Sequence, residues 1–409
     1  MLTTAMLRKN NMLEILKAIK RNRLITKPEI AQQTKLTTVT VNTLVSELVR
    51  KNIVVEEGYA NSIGGRKPVL YRINNDAYNI IGINLKLNTI TIDLFDMSAS
   101  KVSKGVVLQV KEGQNVEDTI SLILHGINKL LARMTEKSPK IIGIGITLPG
   151  RVDYQNGLVC HLTNLPNWVN IPLKSIIEAE TGIPTYIERD TNAHIAYLKW
   201  LDITENRPNV VYCTVGEGIG AGVLVDDSIY HGDHGLAGEI GHITLNPDGP
   251  PCNCGNNGCV EVYTSNRAII GYYLDFAREA GTPDIELEET LKGDYDEFEM
   301  VDTLVRRSLD GNEPARKAFA KASKYICSMM VNIINTYNPS LIILECRWMK
   351  VARAYFNDLV EKVFGKTALL DRHDMKIILN PVEDIFGQAS ATIVLEQLFS
   401  DIDNNRLIG

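Results

Sequence analysis

Apolar residues recur at helical spacing in the first part of the chain. Residues 7–20 place their apolar side chains on one stripe, with charged side chains off it, which predicts an amphipathic helix. Thr26, followed by Pro28, predicts the start of a short second helix. A third helix is predicted to begin at Thr37 or Thr38, which completes a small helical module. Its buried stripe consists of Val41, Leu44, Val45 and Leu48.

The exposed face of the predicted third helix carries short polar side chains near its N-terminal end. Such side chains reach base edges in the major groove of DNA, while the amides of a helix terminus meet phosphates. The predicted base-reading positions are Thr38, Thr40, Asn42, Thr43 and Ser46. The pattern therefore indicates a recognition helix.

Two strand-like segments follow, at Ile53–Glu57 and Val69–Ile73, and they predict a hairpin. The residues between them include Gly65, Arg66 and Lys67, a glycine-rich and cationic tip. Cations at such a tip can enter a minor groove or contact phosphates. Three helices and a hairpin of this kind predict a winged helix-turn-helix.

From Tyr78 onward, apolar runs bounded by polar turns alternate with amphipathic stretches, which predicts an α/β fold. The predicted strands are Asn79–Asn84, Thr89–Phe95, Lys101–Val110, Ile141–Thr147, Pro184–Glu188, Val210–Val215 and Leu341–Leu344. The predicted helices are Val116–Arg133, a stretch ending at Leu201, residues 266–280, 299–309 and 313–336, and a last helix from about Gly387 to Leu398. Because α/β folds bind ligands at the carboxyl ends of strands, Gly150, Asp190 and Gly216 are candidate ligand positions.

Charge is distributed unevenly along the chain. Residues 1–76 carry thirteen Lys or Arg and six Asp or Glu, a net charge of +7, so the remaining residues carry −13 of the total of −6. The alternative interpretation of three short helices and a hairpin is a small packing or dimerisation module. The basic charge favours a nucleic-acid-binding head on a body that does not contact phosphate backbones.

Composition narrows the class of protein further. The 409 residues predict two or three domains, and 44% hydrophobic with 22% charged residues is typical of a globular chain. No apolar run approaches the roughly eighteen residues that span a bilayer, and the charged N-terminal segment does not resemble a signal peptide. Four scattered cysteines are typical of reduced thiols, which predicts a cytosolic protein without a membrane partner. They are Cys160, Cys213, Cys327 and Cys346.

One imidazole and three thiols lie within eighteen residues, at His242, Cys252, Cys254 and Cys259. This ligand set and the Cys-x-Cys-x4-Cys spacing predict a closed tetrahedral zinc site. Three unpaired structural cysteines near a loop histidine are the less favoured interpretation. Zinc would hold the segment in place, and with it two neighbouring carboxylates.

Those carboxylates belong to Glu239 and Glu261, which flank the cluster. Together with His242 they suit the hydroxyl groups of a sugar or small polyol, because ionised acceptors make strong, directional hydrogen bonds. A glycine run at Gly216–Gly222 is a weak phosphate-loop signal. Glu217 stands inside it and would repel the phosphates of a nucleotide.

These residues together resemble the ROK family (repressors, open reading frames and sugar kinases), specifically its winged-helix repressor branch. The resemblance spans nearly the whole chain. The motifs that carry it are Ser62-Ile-Gly-Gly-Arg-Lys-Pro68, Leu148-Pro-Gly-Arg-Val-Asp153, Asn164-Leu-Pro-Asn-Trp168, and Gly235-Leu-Ala-Gly-Glu-Ile-Gly-His242 with the cysteine segment after it.

The resemblance implies an N-terminal winged helix-turn-helix, then a two-lobed actin-like ATPase fold with a sugar in the interlobe cleft and a structural zinc. The implied domains are residues 1–76, residues 77–190 with 386–409, and residues 191–385, the last with the zinc site and oligomerisation helices. The implied sugar contacts are Gly150, Arg151, Asn164, Asp190, Glu239, His242 and Glu261. The implied zinc ligands are His242, Cys252, Cys254 and Cys259. His242 would then use one ring nitrogen for the zinc ion and the other for a sugar hydroxyl group.

Three segments depart from the kinase branch of that family. Residues 83–88 replace an Asp-x-Gly-Gly-Thr loop, residues 216–218 read Gly-Glu-Gly rather than Gly-Thr-Gly, and residues 345–347 replace a glycine pair. Bulk and negative charge at these points predict a chain without phosphoryl transfer. Asp190, which resembles the catalytic base of the kinases, is expected to accept a hydrogen bond from a sugar hydroxyl.

The sequence therefore predicts a sugar-responsive transcriptional repressor of carbohydrate-utilisation genes, with no catalytic residues. A homodimer or homotetramer would bind a palindromic operator. One alternative is an ATP-dependent sugar kinase with an appended DNA-binding head, and another is a repressor whose effector is a protein such as a sugar-transport component. The identity of the sugar, the operator sequence and the direction of the response stay open.

Overall fold

The structure is a computed structural model of the chain. It describes residues 4–61, 67–86, 88–111, 113–162, 165–293, 295–367, 375–383, 385–400 and 407. The chain forms two compact units, Met1–Tyr197 with Ile385–Gly409 and Leu198–Asp384. The finer division into residues 1–76, 77–190 with 386–409, and 191–385 stays a prediction.

The N-terminal part of the first unit consists of three helices and a three-stranded antiparallel sheet of order β1-β3-β2. Its elements are α1 (Thr4–Asn22), β1 (Ile25–Thr26), α2 (Lys27–Thr34), α3 (Thr38–Arg50), β2 (Val54–Tyr59) and β3 (Val69–Ile73). Thr26 and Glu29 form a capping box at the start of α2, and the Thr37 hydroxyl accepts from the Thr40 amide at 3.2 Å at the start of α3. The predicted caps and the predicted winged helix-turn-helix are thus confirmed.

The rest of the first unit is built on a five-stranded sheet of order β11-β7-β4-β5-β6. Its elements up to the crossing into the second unit are β4 (Asn79–Leu85), β5 (Thr89–Phe95), β6 (Lys101–Gln109), α4 (Val116–Leu131), β7 (Ile141–Leu148), β8 (Arg151–Asp153), β9 (Leu158–Leu162), β10 (Leu165–Ile171), α5 (Leu173–Thr181), β11 (Thr185–Arg189) and α6 (Asp190–Trp200). Strands β4, β5 and β6 form an antiparallel meander, and β7 and β11 extend the sheet in parallel from β4. Strands β8, β9 and β10 form a separate antiparallel sheet.

The second unit repeats this plan in a sheet of order β14-β13-β12-β15-β16. Its elements are β12 (Val210–Val215), β13 (Ile219–Val225), β14 (Ser228–Ile229), α7 (Glu261–Thr264), α8 (Asn266–Glu279), α9 (Ile285–Thr290), α10 (Glu297–Leu309), α11 (Glu313–Tyr337), β15 (Leu341–Glu345), α12 (Arg347–Val351), α13 (Arg353–Lys366) and β16 (Lys376–Leu379). Again three strands form an antiparallel meander; β15 joins its first strand in parallel, and β16 joins β15 in parallel. The repeated plan fits the implied two-lobed fold.

The chain returns to the first unit in α14 (Phe386–Ser400), which packs against β4 and β7. The Ser390 hydroxyl lies 2.9 Å from the carbonyl oxygen of Ile83 and 2.7 Å from the hydroxyl of Thr147. Helix α1 also contacts α14. The last helix therefore joins the core of the sheet to the N-terminal module.

The predicted strands and long helices lie where the sequence places them, within a few residues at their ends. Sequence analysis did not predict β1, β8 to β10, α5, β13, β14, α7, α9, α12, α13 or β16. Most of these are short or interrupted by polar residues, while β13 lies largely within the glycine run that was interpreted as a loop. Within the described part of the chain, no helix is both long enough and apolar enough to cross a bilayer.

Candidate functional site

The predicted metal ligands lie together in the second unit. The ligand atoms of His242, Cys252, Cys254 and Cys259 all lie within 4.8 Å of one another. The sulfurs of Cys254 and Cys259 are 3.7 Å apart, and Nδ1 of His242 is 3.7 Å from the sulfur of Cys252. A tetrahedral zinc ion with Zn–S bonds of about 2.3 Å has sulfur–sulfur edges of about 3.8 Å. The four side chains thus fit a zinc ion in both chemistry and spacing.

Backbone hydrogen bonds hold this segment in a tight double turn. The Cys252 amide donates to the carbonyl of Asn256 at 2.7 Å, and an isolated bridge pairs Thr244 with Cys259. Gly258 has φ +62°, and a β-carbon there would lie 1.6 Å from the carbonyl oxygen of Asn246. Glycine is therefore required at this position for the ligand-bearing turn to close.

The thiols differ in acidity. Burial raises the pKa of Cys252, and it raises the pKa of Cys259 to about 12. The backbone amide of Asn256 lowers the pKa of Cys254 by donating a hydrogen bond to its sulfur. A zinc ion binds thiolates, so the buried thiols would release protons on metal binding.

Glu239 and His242 stand at the two ends of the 3-10 turn Ile240–His242. Oε2 of Glu239 lies 3.9 Å from Nε2 of His242, while the other ring nitrogen faces Cys252. The two side chains are 33% and 29% exposed, so a ligand can reach them. This arrangement suits the predicted double use of His242, with one nitrogen toward the metal and one toward a hydroxyl group.

The third predicted acceptor of this unit, Glu261, is half-buried at the start of α7. Its Oε2 accepts a hydrogen bond from the amide of Ile219 at 3.0 Å. One carboxylate oxygen is thus used to join the segment after the metal cluster to the glycine run. The same contact fixes the direction of the carboxylate.

In the first unit, Gly150 and Arg151 follow β7. Gly150 has φ +99°, and a β-carbon there would lie 2.5 Å from the carbonyl oxygen of His161, so only glycine fits. Arg151 is exposed and pairs with His161 across β8 and β9. The predicted contact Asn164 lies outside the described residues.

Asp190 stands at the carboxyl end of β11, where α6 begins. It is half-buried, and its Oδ1 accepts from the amide of Thr191 at 2.7 Å. The neighbouring Glu188 carboxylate is buried and accepts from the Asn192 amide group at 3.0 Å and the Arg189 backbone amide at 2.8 Å. Sequence analysis gave Glu188 and Asn192 no role. The signal that could have identified them is the presence of polar residues at the end of an apolar strand, where ligands often bind.

The ring of Phe298 packs on the first glycine of the run Gly216–Gly222, while Glu217 and Gly218 are exposed. A β-carbon on Gly216 would lie 3.3 Å from Cε1 of Phe298, so that ring rests directly on the loop. Arg347 has its Cζ 5.7 Å from the centre of the same ring and forms an ion pair with Asp302 at 2.6 Å. Glu217 is exposed within the run.

The end of β15 is also occupied. Oε2 of Glu345 accepts from Nζ of Lys350 at 2.9 Å and from the side-chain amide of Asn380 at 2.6 Å. Cys346 is fully buried, and burial raises the pKa of its thiol. Polar and charged side chains thus satisfy one another at this strand end.

The predicted DNA-reading positions lie on α3. Thr38, Asn42, Thr43 and Ser46 are exposed and Thr40 is half-exposed, while the stripe on the opposite side is buried. Lys67 is exposed at the start of the segment that leads into β3. Gly65 and Arg66 lie outside the described residues. The exposed face of α3 is therefore available to a groove.

Comparison with known proteins shows the class of protein. The ROK family model matches residues 80–392, and a model named winged helix-turn-helix DNA-binding matches residues 8–55. The chain belongs to the ROK family.

Individual relatives include repressors and kinases. The chain is 29% identical over 384 residues to the xylose repressor of Caldicellulosiruptor bescii, covering 93% of each chain. It is 28% identical over 320 residues to the glucokinase of Thermotoga maritima, covering 78% of this chain and 98% of that one. The crystal structure of a ROK family transcriptional regulator, a homolog of the E. coli MLC protein, matches with a TM-score of 0.81 over 96% of this chain and 97% of that chain. At 22% identity this last likeness concerns the fold.

Proposed function

We propose that the chain is a sugar-responsive DNA-binding repressor of carbohydrate-utilisation genes. The observation that carries this proposal is the exposed polar face of α3 at the head of a ROK fold. A repressor relative aligned over nearly the full length, head included, supports it. The protein would act in the cytoplasm, where the operator is.

Zinc is proposed as a structural cofactor held by His242 and the three cysteines. Bound zinc would supply a fixed anchor for the 3-10 turn that carries Glu239 and His242. Without it, the cysteine turn depends on backbone hydrogen bonds such as that from the Cys252 amide to the Asn256 carbonyl. The metal therefore orders the acceptors and takes no part in a reaction.

The proposed sugar contacts are the hydrogen-bond acceptors and donors described above for each unit. Glu239 and Glu261 would accept from hydroxyl groups, and Arg151 would donate. Asp190, held by its own helix start, would accept one further hydroxyl hydrogen. Gly150 and Asn164 complete the proposed contacts on the family pattern.

Phosphoryl transfer is not part of the proposed function. The ring of Phe298 against Gly216 and the carboxylate of Glu217 stand where a phosphate would need backbone amides and positive charge. The guanidinium of Arg347, near the same ring, is paired with Asp302 and is therefore less available to a phosphate. These side chains oppose nucleotide binding by bulk and by charge.

A sugar kinase with a DNA-binding head is the second candidate. Asp190 favours it, because a carboxylate at the carboxyl end of β11 can serve as a general base, and a glucokinase is among the relatives. A coupled ADP-release assay over a panel of sugars distinguishes the two. Sustained turnover that is abolished in Asp190→Asn would establish the kinase.

Regulation requires that the sugar bind one arrangement of the protein better than another. Equal affinity for the DNA-binding and released arrangements would change nothing, however tight the binding. A homodimer or homotetramer would place two recognition helices on the two halves of a palindrome. A sugar-dependent change between such arrangements would alter operator affinity.

The test is a titration of operator DNA with candidate sugars. Bound sequences are selected from a random pool with the full chain, and affinity is measured by fluorescence anisotropy with and without each monosaccharide, xylose first because a relative is named for it. We expect one sugar to change affinity in the wild type and to have no effect in Glu239→Ala. If no sugar changes operator affinity, the proposed response is wrong, and a protein effector becomes the next candidate for a pull-down.

A further inference from the structure

One apolar side chain stands out on the face of α3. Val39 is 75% exposed, the highest value for a large hydrophobic residue in the described part of the chain. It is the second residue of α3, between Thr38 and Thr40. Single exposed valines are common on protein surfaces and need no explanation by themselves. The role of Val39 follows from its position on the helix.

Val39 belongs to the same stripe as the predicted base-reading residues. Asn42, Thr43 and Ser46 follow at helical spacings of three, four and seven residues, so all four side chains lie on one face. All four are exposed. A helix that presents this stripe to a groove must present Val39 as well.

Two hydroxyl groups on the stripe already have partners within the module. The Thr43 hydroxyl donates to the carbonyl of Val39 at 3.0 Å, and the Ser46 hydroxyl lies 3.3 Å from Nζ of Lys27. Helix formation does not explain a valine here, because valine is a poorer helix former than alanine. What Val39 adds to the N-terminal turn is a pair of exposed methyl groups.

We propose that Val39 reads the 5-methyl group of a thymine in each operator half-site. Among the base edges in the major groove, thymine alone presents a methyl group. Contact between it and Val39 would bury apolar surface on both sides and select thymine over cytosine at that position. The proposal rests on the proposed DNA-binding function and adds a specificity-determining residue to it.

The test removes one methyl group at a time from the DNA. In the sequence selected by the full chain, each thymine of one half-site is replaced singly by deoxyuridine, which keeps base pairing and lacks the methyl group. Affinity is measured by fluorescence anisotropy at one fixed salt concentration. We expect one position at which the wild type binds roughly fourfold more weakly, the effect of one buried methyl group. Val39→Ala is expected to bind the two duplexes equally.

Val107→Ala is the matched control, because Val107 is 63% exposed on β6, outside the N-terminal module. It should keep the full sensitivity to deoxyuridine. Thermal unfolding of Val39→Ala at or above the wild-type midpoint shows that the helix is intact. A wild type indifferent to every replacement, or a Val39→Ala protein that keeps the sensitivity, overturns the methyl contact and leaves operator binding standing. Failure to select any sequence overturns operator binding itself, and the methyl contact with it.

Discussion

Two loop regions of the second unit differ in how their side chains are used. Around the metal cluster, Glu239 and His242 converge and stay about one-third exposed, so a ligand can approach their outer edges. Around the glycine run, the ring of Phe298 lies on Gly216 and Arg347 is paired with Asp302. In the first region two polar side chains face a common opening, whereas in the second a ring covers one glycine and leaves Glu217 exposed beside it.

Under the proposed function, one fold plan keeps sugar binding and loses nucleotide binding. Both regions are rich in glycine, which lets a backbone approach a ligand closely. At the glycine run, the ring of Phe298 packs on Gly216 and the carboxylate of Glu217 is exposed beside it. At the metal cluster, four side chains form a support that holds acceptors in place without filling their surroundings. Side chains, and not the backbone plan, decide which loops can bind.

Removal of a zinc ligand should have the largest effect. Cys259→Ser replaces a buried sulfur ligand of the proposed zinc ion by a hydroxyl group that binds zinc far more weakly, so the protein should lose its metal and on the order of 4 kcal/mol of stability. The sugar response should disappear while operator binding persists, because the head is built from other residues. Metal analysis, thermal unfolding and anisotropy measure the three effects.

Cys160→Ser is the matched control, since Cys160 lies in β9 and outside the cluster. It should retain zinc and the sugar response. A Cys259→Ser protein that still carries zinc and responds to sugar would show that the two regions do not differ as described.

Glu239→Ala should weaken sugar binding without releasing the metal. A hydrogen bond to a charged group contributes about 1.5–3 kcal/mol, which corresponds to a loss of roughly 10- to 100-fold in affinity. Isothermal titration with the sugar found by operator titration measures the change. Glu239→Gln keeps the shape and should fall between alanine and wild type. Unchanged affinity in both variants, with zinc present, would remove Glu239 from the binding site.

The glycine run should not bind a nucleotide even when the ring of Phe298 is removed. Phe298→Ala should cost about 1–2 kcal/mol of unfolding free energy, the usual range for a half-buried side chain. Glu217 would still repel phosphate, so titration with a fluorescent magnesium–ATP analogue should not saturate in the wild type or the variant. Saturable binding to the wild type would mean that this region is open, and the kinase would become the leading candidate.

Local features of the fold were predictable because they depend on neighbouring residues. The caps at Thr26 and Thr37 follow from side chains that accept from the next turn, and the structure confirms both. The metal cluster was equally predictable, since Cys252, Cys254 and Cys259 are close in sequence and must be close in space. Residues that are a few positions apart in the sequence cannot be far apart in space.

Contacts between distant segments were not predictable in this way. Nothing in the residues near Gly216 indicates that Phe298, on a later helix, covers it. The sheet of β8 to β10 was missed because β8 has only three residues and β9 only five, too few to show a clear alternating pattern. Val39 was missed for another reason: an apolar side chain resembles a core residue in the sequence, and only its helical spacing to Asn42 indicates the exposed face.

The hairpin tip offers a third glycine-rich region, and the smallest expected effect. Lys67 follows this tip in the sequence and is exposed, so its ammonium group is accessible to a phosphate. Lys67→Ala should weaken operator binding slightly, and the slope of log affinity against log salt should become shallower by about 0.9 for each phosphate that the variant no longer neutralises. Lys137→Ala, an exposed lysine outside the N-terminal module, is the control and should leave the slope unchanged. An unchanged slope in Lys67→Ala would mean that Lys67 binds no phosphate, and α3 would then carry the specific contacts without this cation.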